Sequence, residues 1–127
     1  MNRSELNART GQIVDAAMRV HSSLGPGLLE SAYEACLAHE LCKRGLRVRT
    51  QVPMPIIYDG IRIKLGYRAD MIVDDIIIVE LKTVIKLHLI DEAQLLSYLI
   101  LSKLQVGVLI NFHSVHLKDG IKRMING

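Results

Sequence analysis

Residues 68–82 read RADMIVDDIIIVELK, two apolar runs that each carry one carboxylate and are divided by Asp74 and Asp75. The second run, Ile76 to Leu81, is apolar at odd and even positions alike, as a strand covered on both faces must be. It is therefore expected at the centre of a sheet. Side chains alternate along a strand, so Glu80 and Lys82 face the same side, about 7 Å apart. An ionised carboxylate among apolar strand residues costs free energy unless something compensates it, and Asp70 and Glu80 both sit in such surroundings.

Parity decides whether the two carboxylates meet. A two-residue turn at Asp74-Asp75 would pair Val73 with Ile76 and send Asp70 and Glu80 to opposite faces. A three-residue loop or a bulge lays Asp70 directly across from Glu80, so an odd connection near Val73 to Ile76 is expected. Two carboxylates converging in a low-dielectric pocket repel, and a divalent cation relieves that repulsion while acting as a Lewis acid. Oxygen ligands favour Mg²⁺ or Mn²⁺. The spacing is equally compatible with Lys82 paired to one carboxylate, or with strand-end charges that reach water.

Upstream, Ile13, Ala17, Val20 and Leu24 recur at helical spacing and place an amphipathic helix over about Glu5–Ser23. Gly25-Pro26-Gly27 breaks it. A second helix follows, with Leu29, Ala32, Tyr33, Cys36, Leu37 and Leu41 as its buried face and Gly45 as its C-terminal stop. From Leu46 to Val52 the period is two, which is a strand. Asp59-Gly60 between Ile56–Tyr58 and Ile61–Ile63 marks a hairpin, whose second arm is expected to continue into Ala69–Val73. Downstream, Asp91 and Gln94 have capping-box spacing ahead of Leu95, Leu96, Leu99 and Ile100, and Val106–Ile110 reads as another buried strand. Asp119-Gly120 in the tail opens either a hairpin or a short helix.

The 127 residues fit one domain, 1–127, with a core that needs no staples. No apolar run approaches the roughly 20 residues that span a bilayer, and Met1 to Thr10 is polar and charged rather than a secretory signal; a cytoplasmic protein is expected. Cys36 and Cys42 read as reduced core thiols. A formal charge of +3 permits nucleic-acid binding without requiring it. Arg47, Arg49, Arg62, Lys64 and Arg68 on strands, with Lys118, Lys122 and Arg123 near the end, form either phosphate contacts or a solvated basic face. His113 and His116 read as surface residues.

Arg68-Ala69-Asp70 and Glu80-Leu81-Lys82 resemble the Asp and Glu-x-Lys signature of the PD-(D/E)xK nuclease superfamily, with Ala69 in place of the proline in its name. Gly27-Leu28-Leu29-Glu30-Ser31-Ala32-Tyr33 resembles the motif that names the GxxExxY protein family within it. Gln51-Val52-Pro53, Gly66 to Asp70, Glu92 to Leu99 and Leu117 to Arg123 are also similar to that family's blocks. The resemblance implies an α/β, restriction-endonuclease-like αβββαβ core, a central mixed sheet flanked by helices. It implies a metal site with Asp70, Glu80 and the helix carboxylate Glu30 as ligands of Mg²⁺ (or Mn²⁺), and Lys82 assisting the attacking water or the phosphate. Glu30 is otherwise a first-turn glutamate favoured by the helix dipole.

Gln94 matches a glutamine that related nucleases place beside the site, or else it belongs to the capping box. Tyr33 and Tyr98 are secondary candidates; Tyr98 either holds phosphate or fills the core. Two functions follow as expectations: a divalent-metal-dependent nuclease hydrolysing phosphodiester bonds of nucleic acid (DNA or RNA), or a non-catalytic nucleic-acid- or protein-binding module on the same fold. A homodimer sharing one groove is what a symmetric cut of both strands would require.

Overall fold

The computed structural model describes residues 2–127. Helix α1, Arg3–Leu24, starts two residues ahead of the expected Glu5 because the Asn2 side chain caps it, accepting from the Glu5 N–H at 2.8 Å. Its buried stripe is Thr10, Ile13, Ala16, Ala17 and Val20. Helix α2, Glu30–Lys43, buries Tyr33, Leu37 and Leu41. Gly45 has φ of 84° just past its end, and the Leu46 N–H reaches back to the Leu41 carbonyl at 3.1 Å, which is how a left-handed residue closes a helix. Both cysteines are free, but Cys42 is exposed and Cys36 only partly buried; the expected core placement therefore fails for Cys42, which falls on the wet side of α2.

Strands β1 (Val48–Pro53), β2 (Ile56–Tyr58), β3 (Ile61–Ile63), β4 (Arg68–Val73) and β5 (Ile77–Lys82) follow, then α3 (Leu89–Ser102), β6 (Val106–Asn111), a 3₁₀ turn (Leu117–Gly120) and β7 (Ile121–Ile125). The main sheet has the order β1-β4-β5-β6-β7, parallel between β5 and β6 and antiparallel elsewhere. β5 is the central strand, as its two-sided apolar pattern demands. Pro53 ends β1 at the sheet edge, where no neighbour needs its missing N–H.

One expectation is corrected here and one open alternative is decided. The hairpin β2–β3 turns at Asp59-Gly60, with φ of 53° and 73°, but its second arm does not run on into Ala69–Val73. β3 stops at Ile63, and β4 belongs to the other sheet, because Gly66 at φ 79° redirects the chain. The tail opens on a 3₁₀ turn at Asp119-Gly120 and then adds β7 beside β6.

The sheet separates two apolar layers. Met71, Val73, Ile77, Val79, Leu81, Val108 and Ile110 pack with α1 and α2, while Ile72, Ile78 and Leu109 meet Leu95, Tyr98 and Leu99 of α3. Among the described residues no helix is long and apolar enough to cross a membrane.

The β4–β5 connection has odd length, as parity requires. Val73 pairs with Ile77, Ile72 with Ile78 and Met71 with Val79, leaving Asp74, Asp75 and Ile76 as the loop. Asp74 and Asp75 take φ of 52° and 58°, a region that Asp tolerates better than most residues. The Asp74 carboxylate anchors the loop, accepting from the Arg47 N–H at 2.8 Å and from Arg9 Nε at 2.9 Å. Asp74→Ala is expected to lower stability by about 1–3 kcal/mol, the cost of losing bonds to a charged acceptor. Asp74→Asn, which keeps one acceptor and tolerates the left-handed backbone, should lose less; urea unfolding of the three proteins checks the ranking.

Candidate active site

The ladder between β4 and β5 reaches Met71–Val79, and one step further stand Asp70 and Glu80. There the carboxylates take over from backbone pairing. Glu80 Oε1 accepts from the Asp70 N–H at 2.9 Å, and Asp70 Oδ2 accepts from the Leu81 N–H at 2.8 Å. Each acid is thus oriented by the other's strand. Glu80 is 5% exposed, and burial, followed by the charge of Asp70, pushes its carboxyl up to about 8 against a weaker downward pull from Lys82.

Lys82 lies on Glu80's face, half-buried at the edge of α3. Its ammonium stands 3.5 Å from Gln94 Oε1 and 3.9 Å from Asp91 Oδ1. The ion pair recorded for Lys82 is with Asp91, not with Asp70 or Glu80, so the paired carboxylates keep their charge problem. Gln94 therefore stands at the site and not in the cap. The cap belongs to His88, whose N–H donates to Asp91 Oδ2 at 2.9 Å, and α3 begins at Leu89 rather than at Asp91.

Tyr98 is both core and site. It packs with Leu95 and Leu99, its hydroxyl lies 3.4 Å from Gln94 Nε2, and burial with the charges of Glu80 and Asp70 raises its pKa. Tyr33 belongs to the core alone. Fully buried, it stacks on Phe112 with ring centroids 4.4 Å apart, and its hydroxyl donates to the Gly25 carbonyl while accepting from the Leu28 N–H at 3.0 Å. It staples the Gly25-Pro26-Gly27 break to α2.

Glu30, at the start of α2, has a carboxyl raised first by burial, then by Asp70 and Glu34, with Lys82 opposing. It lies within electrostatic reach of Asp70 and Lys82. Among the described residues, however, no three His, Cys, Asp or Glu side chains group as a metal cage, so the expected three-carboxylate shell is not assembled. Two carboxylates still fit the habit of Mg²⁺, which keeps several waters and takes one or two carboxylates plus substrate phosphate rather than an all-protein cage. The donor set therefore fits the ion that the sequence pattern implies.

Two residues near the pair carried no site reading in the sequence. Gln51 has φ of 52° inside β1, and its amide nitrogen lies 2.7 Å from Glu34 Oε1 and 3.4 Å from Asp70 Oδ1. Its one signal was its place in the Gln51-Val52-Pro53 block. Asp91 beside Lys82 was hidden by its cap-like spacing. His113 is exposed, with Nδ1 3.1 Å from the Pro26 carbonyl.

Two outcomes follow from this geometry. Tyr33→Phe removes the bonds to the Gly25 carbonyl and the Leu28 N–H at a turn that water can reach, which should cost about 0.5–1.5 kcal/mol in urea unfolding. For Glu80 the folded pKa of about 8 exceeds the ordinary glutamate value of 4.5. Below 4.5 both the folded and unfolded forms hold the proton and no penalty exists; between 4.5 and about 8 the unfolded chain releases it first, so stability falls as pH rises. In EDTA, the Tm of the wild type relative to Glu80→Gln should decline across that window and level off above it. A flat difference would show that Glu80 titrates normally.

A search of curated proteins and a search of solved structures each return no match. The family model of the PD-(D/E)XK nuclease superfamily matches residues 7–124, a span that runs from α1 to β7 and includes the strand pair bearing Asp70 and Glu80. The chain belongs to the PD-(D/E)XK nuclease superfamily.

Proposed function

We propose that this protein is a divalent-metal-dependent nuclease of the GxxExxY branch of that superfamily, hydrolysing phosphodiester bonds of DNA or RNA at Asp70, Glu80 and Lys82. The observation that carries the reading is the three-residue Asp74–Ile76 loop, which brings two carboxylates face to face on adjacent strands with a lysine on the same side. A structural role alone gives little reason to set a half-buried acid, Asp70, against a buried one, Glu80, since their repulsion opposes folding.

Mg²⁺ or Mn²⁺ held by Asp70 and Glu80 would supply a Lewis acid that draws charge from a phosphoryl oxygen. The chain's own groups do the rest. The backbone N–H groups of Asp70 and Leu81 hold the carboxylates in place. Lys82, held near Gln94 and Asp91, donates to a phosphate oxygen or fixes the attacking water. The Asp91 carboxylate, paired with that ammonium, keeps it in place on the Glu80 face. Glu30 is an outer carboxylate that orients water entering between Asp70 and Lys82.

Purified protein incubated with labelled single- and double-stranded DNA and RNA in Mg²⁺ or Mn²⁺ should cleave at least one substrate, and EDTA should abolish cleavage. Asp70→Asn, Glu80→Gln and Lys82→Ala should each slow it by at least about 100-fold, while Tyr33→Phe keeps its activity at a temperature where it is folded. Absence of cleavage together with retained nucleic-acid binding would instead mark the chain as a binding module on a nuclease fold.

A further inference from the structure

A cavity of about 540 Å³ opens on the Lys82 side of the carboxylate pair. One wall is Ile56, at the foot of the β2–β3 hairpin, with Tyr67 at the entrance to β4; the facing wall is Ile90, Gln94, Ser97 and Tyr98 of α3. The volume lies within the roughly 300–1,000 Å³ of small-molecule pockets. Its lining combines flat aromatic and apolar surfaces, hydroxyls, an amide that can both donate and accept, and the paired charges of Lys82 and Asp91.

Two features show that these walls are free for a ligand. Tyr67 is 46% exposed and Ile90 73% exposed, so neither is committed to the core. The Gln94 amide meets Lys82 and Tyr98 only at 3.5 and 3.4 Å, long contacts that a better partner displaces. A nucleobase asks for this set, stacking on aromatic side chains and offering hydrogen-bonding edges to an amide fork. A base inside a duplex has both faces stacked and its pairing edge used, and cannot enter without being flipped out.

The strand arginines and lysines point the same way. Arg47 and Arg49 are occupied by Asp75, whereas among the described residues Arg62, Lys64 and Arg68 have no carboxylate partner in an ion pair. These three border a neighbouring hollow of about 340 Å³ next to Tyr67 in the chain. They offer a phosphate track leading up to the pocket.

We infer that the cavity between α3 and the β2–β3 hairpin is a base pocket that seats one unpaired nucleotide next to the phosphate at Asp70 and Glu80, making single-stranded nucleic acid the substrate class. The inference rests on the nuclease reading for the phosphate's position, but the pocket can be tested without catalysis.

Fluorescence anisotropy of the full chain in EDTA, with short labelled DNA and RNA oligonucleotides, reads it directly. A single strand should bind at least about tenfold more tightly than its duplex, and Ser97→Trp, which fills the pocket from an exposed position, should weaken single-strand binding about tenfold, as should Tyr67→Ala. Duplex binding should change less than about twofold in either variant, and unchanged melting curves show that both fold. Equal binding of single strand and duplex, or indifference to Ser97→Trp, overturns the pocket. If single-strand binding shows the expected Ser97→Trp loss but the wild type cleaves nothing in Mg²⁺, the pocket stands and the nuclease reading falls. If cleavage stands and Ser97→Trp binds like the wild type, the pocket alone falls.

Discussion

The repulsion between two carboxylates held on neighbouring strands is the constraint around which this protein is arranged. Asp70 and Glu80 come together because the loop between β4 and β5 has three residues, Asp74 to Ile76, and an even loop would have turned them to opposite faces. Holding that loop requires left-handed backbone at Asp74 and Asp75, and the structure meets the cost with the Asp74 bonds to Arg47 and Arg9. A surface turn far from the site thereby sets the chemistry at the other end of the strand pair.

The pair also decides how the sheet ends. Beyond Met71–Val79 the carboxylates accept the Asp70 and Leu81 N–H groups, so ladder pairing gives way to side-chain pairing and the acids are fixed in orientation. Gln51, in strained backbone on β1, extends this arrangement to Glu34. On the open side, α3 packs Leu95 and Leu99 against Ile78 and Leu109, which brings Gln94 and Tyr98 over Lys82. Gly107 on β6 lets the helix come this close: a Cβ there would stand 2.8 Å from Leu95 Cδ1. Packing of apolar residues thus delivers the polar ones.

Much of the fold was legible because its strongest signals are local. Period-two alternation, the two-sided run of β5, the Gly25-Pro26-Gly27 break and Asp59-Gly60 each report a backbone preference within a few residues. The readings that failed needed distant partners. Whether the chain after Ile63 stays in the hairpin or joins the main sheet depends on what β4 pairs with. The site divided in the same way. Asp70, Glu80 and Lys82 stand out as charges in apolar strands, whereas Asp91 and Gln51 look ordinary until α3 and β1 are packed, and Tyr33, prominent in a motif, proves to be a core residue that ties down a turn.

The amino-acid sequence by itself determined most of the element types, the central place of the Ile76–Leu81 run, the shared face of Glu80 and Lys82, and the parity condition for Asp70, because all of these follow from side-chain periodicity within single elements. Tertiary structure alone decided that the condition is met, that Glu30 stays outside the pair, that Lys82 pairs with Asp91, and that a cavity of about 540 Å³ lies beside it. These are relations between segments far apart in the chain, set by the packing of α2 and α3 on the sheet, and no local pattern encodes a distance between two elements.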